Sequence, residues 1–135
     1  MSYGSSDMKI LIVDDFPTMR RIVKTLLRQN GYNNFVEAED GIQGLKVLNE
    51  HSDVSLVIGD WNMPNMGGLD FLKAVRKSDK FSNTPFLMVA AEAEKEFMLE
   101  AIKNGANNFI VKPFTGGALQ EKIIKSFSAS NRKAG

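Results

Sequence analysis

Asp14, Asp15, Asp60 and Lys112 are the residues of this sequence whose types and surroundings best suit chemistry. Each ends or follows a short apolar run: Ile10-Leu11-Ile12-Val13 before the first pair, Val54 to Gly59 before Asp60, Phe109-Ile110-Val111 before Lys112. Carboxylates gathered in one place repel and raise one another's pKa. Unit charges about 4 Å apart at an effective dielectric near 20 interact by roughly 4 kcal/mol. A hard cation offsets such a cluster. Oxygen ligands in modest number, with room for waters and a phosphate oxygen, suit Mg²⁺ better than a dedicated Ca²⁺ cage. Lys112 adds a second, mobile positive charge for a phosphoryl oxygen. Taken singly, each residue has a plainer reading. An Asp at a strand end commonly caps a helix or turns the chain, Asp15 could cap a helix opening near Pro17, and a lone Lys-Pro pair carries little. The chemical reading rests on all of them falling at the ends of different strands.

The elements that must position them alternate along the chain. Lys9 to Asp14 is a near-continuous apolar run, as expected of a strand buried on both faces. Pro17 can open a helix, in which Met19, Ile22, Val23, Leu26 and Leu27 recur at helical spacing until Gly31. Asn34 to Ala38 reads as a second strand, and Gly41 to Glu50 as a helix with Ile42, Leu45 and Leu48 inward. Val54 to Asp60 is the third strand; the turn-rich Asn62 to Gly68 then leads into a helix carrying Leu69, Leu72 and Val75. Pro85 to Ala90, Ala93 to Asn104 and Asn108 to Lys112 read as strand, helix and strand. Thr115 caps a last helix with Leu119, Ile123, Ile124 and Phe127 inward. Five strands, each followed by a helix, imply a doubly wound parallel sheet with right-handed crossovers. In such a fold, sites lie beyond the carboxyl ends of the strands, where strand order reverses.

Composition narrows the classes. The 135 residues fit one domain, read as a polar leader over 1–7, a folded unit over 8–128 and a frayed tail over 129–135. With 43% hydrophobic and 24% charged residues the chain is ordinary for a soluble protein, and a net charge of +1 gives no field to recruit nucleic acid or a membrane surface. The absence of cysteine excludes disulfides and thiol chemistry, and the single histidine, His51, excludes a His-cluster metal site. No apolar run approaches the roughly 20 residues of a membrane helix, and a cytoplasmic location is expected. His51 is expected on the surface, and Arg20-Arg21 on an exposed helix edge.

Ile12-Val13-Asp14-Asp15-Phe16, Asp60-Trp61-Asn62-Met63-Pro64 and Val111-Lys112-Pro113-Phe114 together resemble response-regulator receiver domains. The stretches Asp14 to Arg21 and Asp60 to Met66 are similar to single-domain chemotaxis regulators in particular, and the likeness runs from about Met8 to Phe127. The resemblance implies a flavodoxin-like sheet of order 2-1-3-4-5. It implies Asp60 as phosphoacceptor from a histidine kinase, Mg²⁺ held by Asp14, Asp15, Asp60 and the backbone carbonyl of Asn62, and Lys112 paired with the phosphoryl group or Asp60. A cis Lys112-Pro113 bond is expected, and Asn62 and Glu92 occupy the positions that tune attack of water on the acyl phosphate. The resemblance also implies a monomer signalling through its fourth helix, fifth strand and fifth helix, roughly Lys95 to Lys125, to a flagellar motor switch protein, with a phosphatase as a further partner.

Two positions depart from the family pattern. Ala90 stands where a Thr or Ser hydroxyl usually closes the fourth strand, and Phe109 where chemotaxis regulators commonly carry Tyr. Gly67 also replaces an acidic residue frequent in its loop. The expected consequence is intact phosphorylation with a weakened response, so a phosphate sink or a pseudo-receiver that only binds partners is the alternative. An aspartyl-phosphate phosphatase would want a second Asp as general acid–base where this chain has Asn62. A flavin-binding role would place phosphate against Asp14 and Asp15, which repel it.

Overall fold

The computed structural model describes residues 7–134, with side chains described as far as residue 129. Most of the expected leader, and the side chains of the expected tail from 130 on, lie outside the described residues. The elements run β1 (Lys9–Val13), α1 (Pro17–Gln29), β2 (Asn34–Ala38), α2 (Gly41–Glu50), β3 (Val54–Asp60), α3 (Gly68–Lys77), β4 (Phe86–Ala90), a 3-10 segment (Glu92–Phe97), α4 (Met98–Lys103), β5 (Asn108–Val111) and α5 (Gly116–Ala134). All strand pairings are parallel, in the order β2-β1-β3-β4-β5. This is the flavodoxin-like order implied by the resemblance.

Period-2 alternation of side chains explains the near-continuous apolar strands. Leu11, Val13, Val57, Phe86, Met88 and Ala90 point to one face, where they pack with Leu48, Phe71, Leu72, Val75, Met98 and Ala101 of α2, α3 and α4. Ile10, Ile12, Leu56, Ile58, Leu87, Val89 and Ile110 point to the other, against Val23 and Leu27 of α1 and Leu119 and Ile123 of α5. Each central strand residue is therefore core on one side or the other. Parallel pairing then carries Asp14, Asp60 and Lys112 to one edge of the sheet.

Helical spacing alone misplaced three isoleucines. Ile42 and Ile124, expected inward, and Ile22, placed on the apolar stripe of the first helix, are exposed. In α2 the buried residues are Gly41, Gly44 and Leu48. A Cβ at Gly44 would lie 2.8 Å from the Phe71 ring, so glycine lets α2 approach α3 closely. At 3.6 residues per turn, Ile42 lies more than about 100° around from that face. In α1 and α5 the isoleucines sit at the margin of stripes whose centres are Val23–Leu27 and Leu119–Ile123.

The helix expected over Ala93 to Asn104 is split. Its first part is a 3-10 segment with no buried side chain, and the α-helix begins only at Met98, the first residue that docks on the core. Helical propensity without an apolar stripe gives the opening turns nothing to pack against. Gly105 ends this unit at a φ of 110°, a left-handed conformation that favours glycine. The first strand ends at Val13, the fourth begins at Phe86 and the fifth ends at Val111, each one residue short of the sequence reading. The last helix continues past Ser128 to Ala134.

Candidate functional site

Asp60 is the last residue of β3 and Asp14 the first beyond β1. The Asp14 N–H still donates to Ala38 O of β2 at 3.1 Å, while its Oδ1 accepts from Phe16 N at 2.9 Å and folds the chain toward α1. Lys112 follows β5, tied to β4 by its N–H donating to Ala90 O at 2.9 Å. The Lys112-Pro113 bond is cis, as expected. These three backbones converge so that Lys112 Nζ lies 2.9 Å from Asp60 Oδ1 and 3.8 Å from Asp14 Oδ2.

Both Asp14 and Asp60 are buried, and their electrostatics follow from that. Burial pushes the Asp60 carboxyl up to about 6, against the pull of the Lys112 ammonium and the Asn62 N–H. Burial also raises Asp14, opposed by the Phe16 N–H and Lys112. For Lys112, burial works to lower the pKa, but Asp60 and Asp14 outweigh it and the ammonium is held above its ordinary range. One lysine is thus shared between two carboxylates whose burial, more than their mutual repulsion, works against ionisation.

The neutralisation is incomplete. Asp60 Oδ2 accepts a long hydrogen bond, 3.3 Å, from Asn62 N. Asp60 Oδ1 meets Lys112 at ion-pair distance but without hydrogen-bond alignment, and Asp15 Oδ1 is buried with no partner at all. Asp60 Oδ1 has only the Lys112 ammonium beside it and Asp15 Oδ1 has no hydrogen-bond donor, so a cation meeting them would relieve both. Among the described residues no three acidic or histidine side chains meet as a ready-made metal cluster; the Lys112 ammonium stands between two of the carboxylates. The donor set itself, hard oxygens beside a mobile ammonium, fits a small divalent cation.

The other residues singled out in sequence fall around this centre. Asn62 is exposed, in the loop after β3. Glu92 is exposed and sits 4.0 Å from Lys95 in an i,i+3 pair. Ala90 is fully buried at the end of β4. Phe109 packs partly buried against the core, with Lys122 Nζ 5.4 Å above its ring. Trp61 stacks on the exposed Phe97 with centroids 5.9 Å apart and planes 6° from parallel.

Several supports were not anticipated. Asp40 caps α2 by accepting from Gln43 N at 2.9 Å, and accepts from Asn65 Nδ2 at 2.7 Å. With Gly41 N donating to Met66 O, this pins the Asn62 loop to α2; Asn65 adopts a φ of 65° there. The signal was present as Asp-Gly before an apolar helix, a standard cap pattern. Gly68 closes the loop, and a Cβ there would collide with Asp60 O. Arg20, expected on an exposed edge, instead donates from Nε to Glu37 Oε1 and from Nη1 to Asp14 O. His51, expected to be solvated, is half-buried with Nδ1 3.3 Å from Lys9 Nζ.

Comparison with known proteins agrees with this geometry. The family model described as the response regulator receiver domain matches residues 10–124. The chemotaxis protein CheY-3 of Vibrio cholerae is 51% identical over 123 residues, covering 91% of this chain and 94% of that protein. The chemotaxis protein CheY of Pseudomonas aeruginosa is 49% identical, covering 92% of this chain and 99% of that one. The crystal structure of Vibrio cholerae CheY4 superposes with a TM-score of 0.80 at 33% identity, covering 89% of this chain and 98% of the other. Sheet order, a buried acidic edge with its shared lysine, and sequence likeness over nearly the full length place this chain in the response regulator receiver family, in its CheY-like chemotaxis branch.

Proposed function

We propose that Asp60 accepts a phosphoryl group from a phosphohistidine of a chemotaxis-type histidine kinase, and that Mg²⁺ held at Asp14, Asp15, Asp60 and the Asn62 carbonyl is required. The observation carrying this reading is the buried acidic pair sharing Lys112, with Asp15 Oδ1 beside it buried and without a hydrogen-bond partner. An Asp60 carboxylate oxygen attacks phosphorus, the P–N bond to the kinase imidazole breaks, and the imidazole leaves carrying the bonding pair. The cation, when bound, supplies positive charge to the carboxylates and to a phosphoryl oxygen. Lys112 is already on a β5 anchor beside Asp60 and can follow the transferred charge to a phosphoryl oxygen. Asn62, in place of a proton-transferring Asp, keeps hydrolysis slow, which suits a signal and not a turnover enzyme.

The protein works in the cytoplasm as a monomer on this reading, and among the described residues no helix is long and apolar enough to cross a membrane. A flagellar motor switch protein is the default target, met at the α4–β5–α5 face, and a phosphatase would reset the signal. A second reading is favoured by Ala90 and Phe109: with no hydroxyl at either position, the chain either takes phosphate but drives its target weakly, as a sink, or binds partners constitutively without regard to phosphate.

The test follows Trp61, the only tryptophan and the neighbour of Asp60, through an Mg²⁺ titration, then adds a small phosphodonor and measures intact mass. Metal-dependent quenching plus a phosphoryl adduct that vanishes in Asp60→Asn supports the acceptor. Lys112→Ala should blunt the response more than it weakens Mg²⁺ binding. Metal binding with no adduct points to the constitutive module.

A further inference from the structure

The acidic turn is held from a direction that the phosphoacceptor reading does not use. Arg20 lies at the end of the first turn of α1, with a largely buried side chain. Its Nη1 donates to the backbone oxygen of Asp14, and its Nε donates to Glu37 Oε1 of β2 at 2.8 Å. Glu37 is held in turn by Lys24, whose Nζ is 2.7 Å from Oε2. The helix that follows the turn has no side-chain cap at its N-terminus, where Phe16 occupies the capping position. The guanidinium therefore grips a carbonyl that would otherwise be fixed only by the turn itself.

That carbonyl controls Asp15. Asp14 O and the Asp15 N–H belong to one planar peptide unit, so fixing the oxygen fixes the direction in which Asp15 leaves the strand end. Asp15 Oδ1 is one of the two buried oxygens without a hydrogen bond. With no hydrogen bond to Oδ1, the direction of this half-buried carboxylate is set by its backbone and packing.

We propose that Arg20 is a positioning residue for the cation site: by clamping Asp14 O against Glu37, it holds the Asp15 carboxylate ready for Mg²⁺. This rests on the proposed metal-dependent acceptor. The arrangement has a consequence with an unusual sign. Arg20 is a cation beside a cation site, so electrostatics alone makes Arg20→Ala bind Mg²⁺ more tightly. Positioning makes it bind more weakly, on the order of tenfold, as is common when a group orienting a metal ligand is lost. Arg20→Lys keeps the charge but not the planar fork, and is expected to weaken binding as well.

The experiment measures Mg²⁺ affinity of the full chain by Trp61 fluorescence for wild type, Arg20→Ala, Arg20→Lys, Glu37→Gln and Arg21→Ala, with urea unfolding alongside. Arg21 is the exposed neighbour on the same helix and reports the pure loss of charge. Weakening in both Arg20 variants and in Glu37→Gln, with Arg21→Ala unchanged or tighter, supports the clamp. Unchanged or tighter binding in Arg20→Ala overturns it. If Arg20→Ala does not fold, Arg20→Lys decides, since affinity equal to wild type would then overturn the clamp. Wild type showing no Mg²⁺-dependent signal overturns the metal reading, and the clamp with it; wild type that binds while the variants are unaltered overturns the clamp alone.

Discussion

Replacing Asp60 with Asn is expected to stabilise the metal-free protein at neutral pH while abolishing its chemistry. Burial, partly offset by Lys112, raises the Asp60 carboxyl from 3.8 to about 6. A carboxyl with a higher pKa folded than unfolded binds protons preferentially in the folded state. Its contribution to stability therefore falls as pH rises from 3.8 through about 6, and the full burden is present above that. Two units correspond to about 3 kcal/mol, a ceiling that solvent screening at the mouth of the site brings to about 1–2 kcal/mol. The attraction of Lys112 is already contained in the net shift, and an Asn oxygen still accepts from Asn62 N. Urea unfolding with a chelator at pH 7.5 and pH 5 reads the effect, and an unchanged m-value confirms a stability difference. The gain should shrink to about half at pH 5, where the wild-type carboxyl is largely protonated in the folded state. An Asn variant no more stable than wild type at pH 7.5, or one whose gain is the same at both pH values, would refute this account of Asp60.

Mg²⁺ at one hundred times its dissociation constant should add about 2.7 kcal/mol to wild type and distinctly less to Asp60→Asn, seen as a smaller rise in urea midpoint. Gly68→Ala should cost about 1–3 kcal/mol, because its Cβ meets backbone atoms of Asp60 and Trp61 that cannot rotate away; equal stability would sink that reading. The Asp40 carboxyl is held below its ordinary range by the Gln43 N–H and then Asn65, so it stabilises the fold above the unfolded pKa and loses that contribution as pH falls through its lowered folded value. Asp40→Asn should flatten the acid limb of the stability curve and cost about 1 kcal/mol at pH 7, measured by urea unfolding at stepped pH. Ala90→Thr should strengthen phosphorylation-dependent partner binding, and no gain in affinity counts against the role given to the missing hydroxyl.

The order of elements and the acidic edge were legible because they depend on short-range pattern. Apolar runs ending in Asp14, Asp60 and Lys112 announce strands buried on both faces and side chains projecting from one edge. Helix orientation was less legible. Gly41 and Gly44 look like breakers in a helix, yet they define the face of α2 that meets Met66 and Phe71 and so turn Ile42 outward. The 3-10 segment was hidden for a related reason: Glu92 to Glu96 has helical composition, while docking begins only with Met98. Arg20 was hidden because its partners, Glu37 and the Asp14 carbonyl, come from a different strand and from the backbone.

The two halves of receiver function separate along the same line. On the proposed reading, the side chains that accept a phosphoryl group are Asp14, Asp15, Asp60 and Lys112, at the ends of β1, β3 and β5. The proposed relay is thinner: Ala90 offers a methyl, fully buried, where the family resemblance implies a hydroxyl that would gain a charge-assisted hydrogen bond after phosphorylation. Such a bond is worth about 1.5–3 kcal/mol, or roughly 10- to 150-fold in the balance between two conformations. A bound group shifts a conformational equilibrium only through contacts that differ between the states, and on the proposed reading that leaves Lys112 as the main side chain to respond. Lys122 above the Phe109 ring adds a cation–π attraction that favours the ring position seen in this structure. Ready labelling with muted output is what this combination of residues should produce.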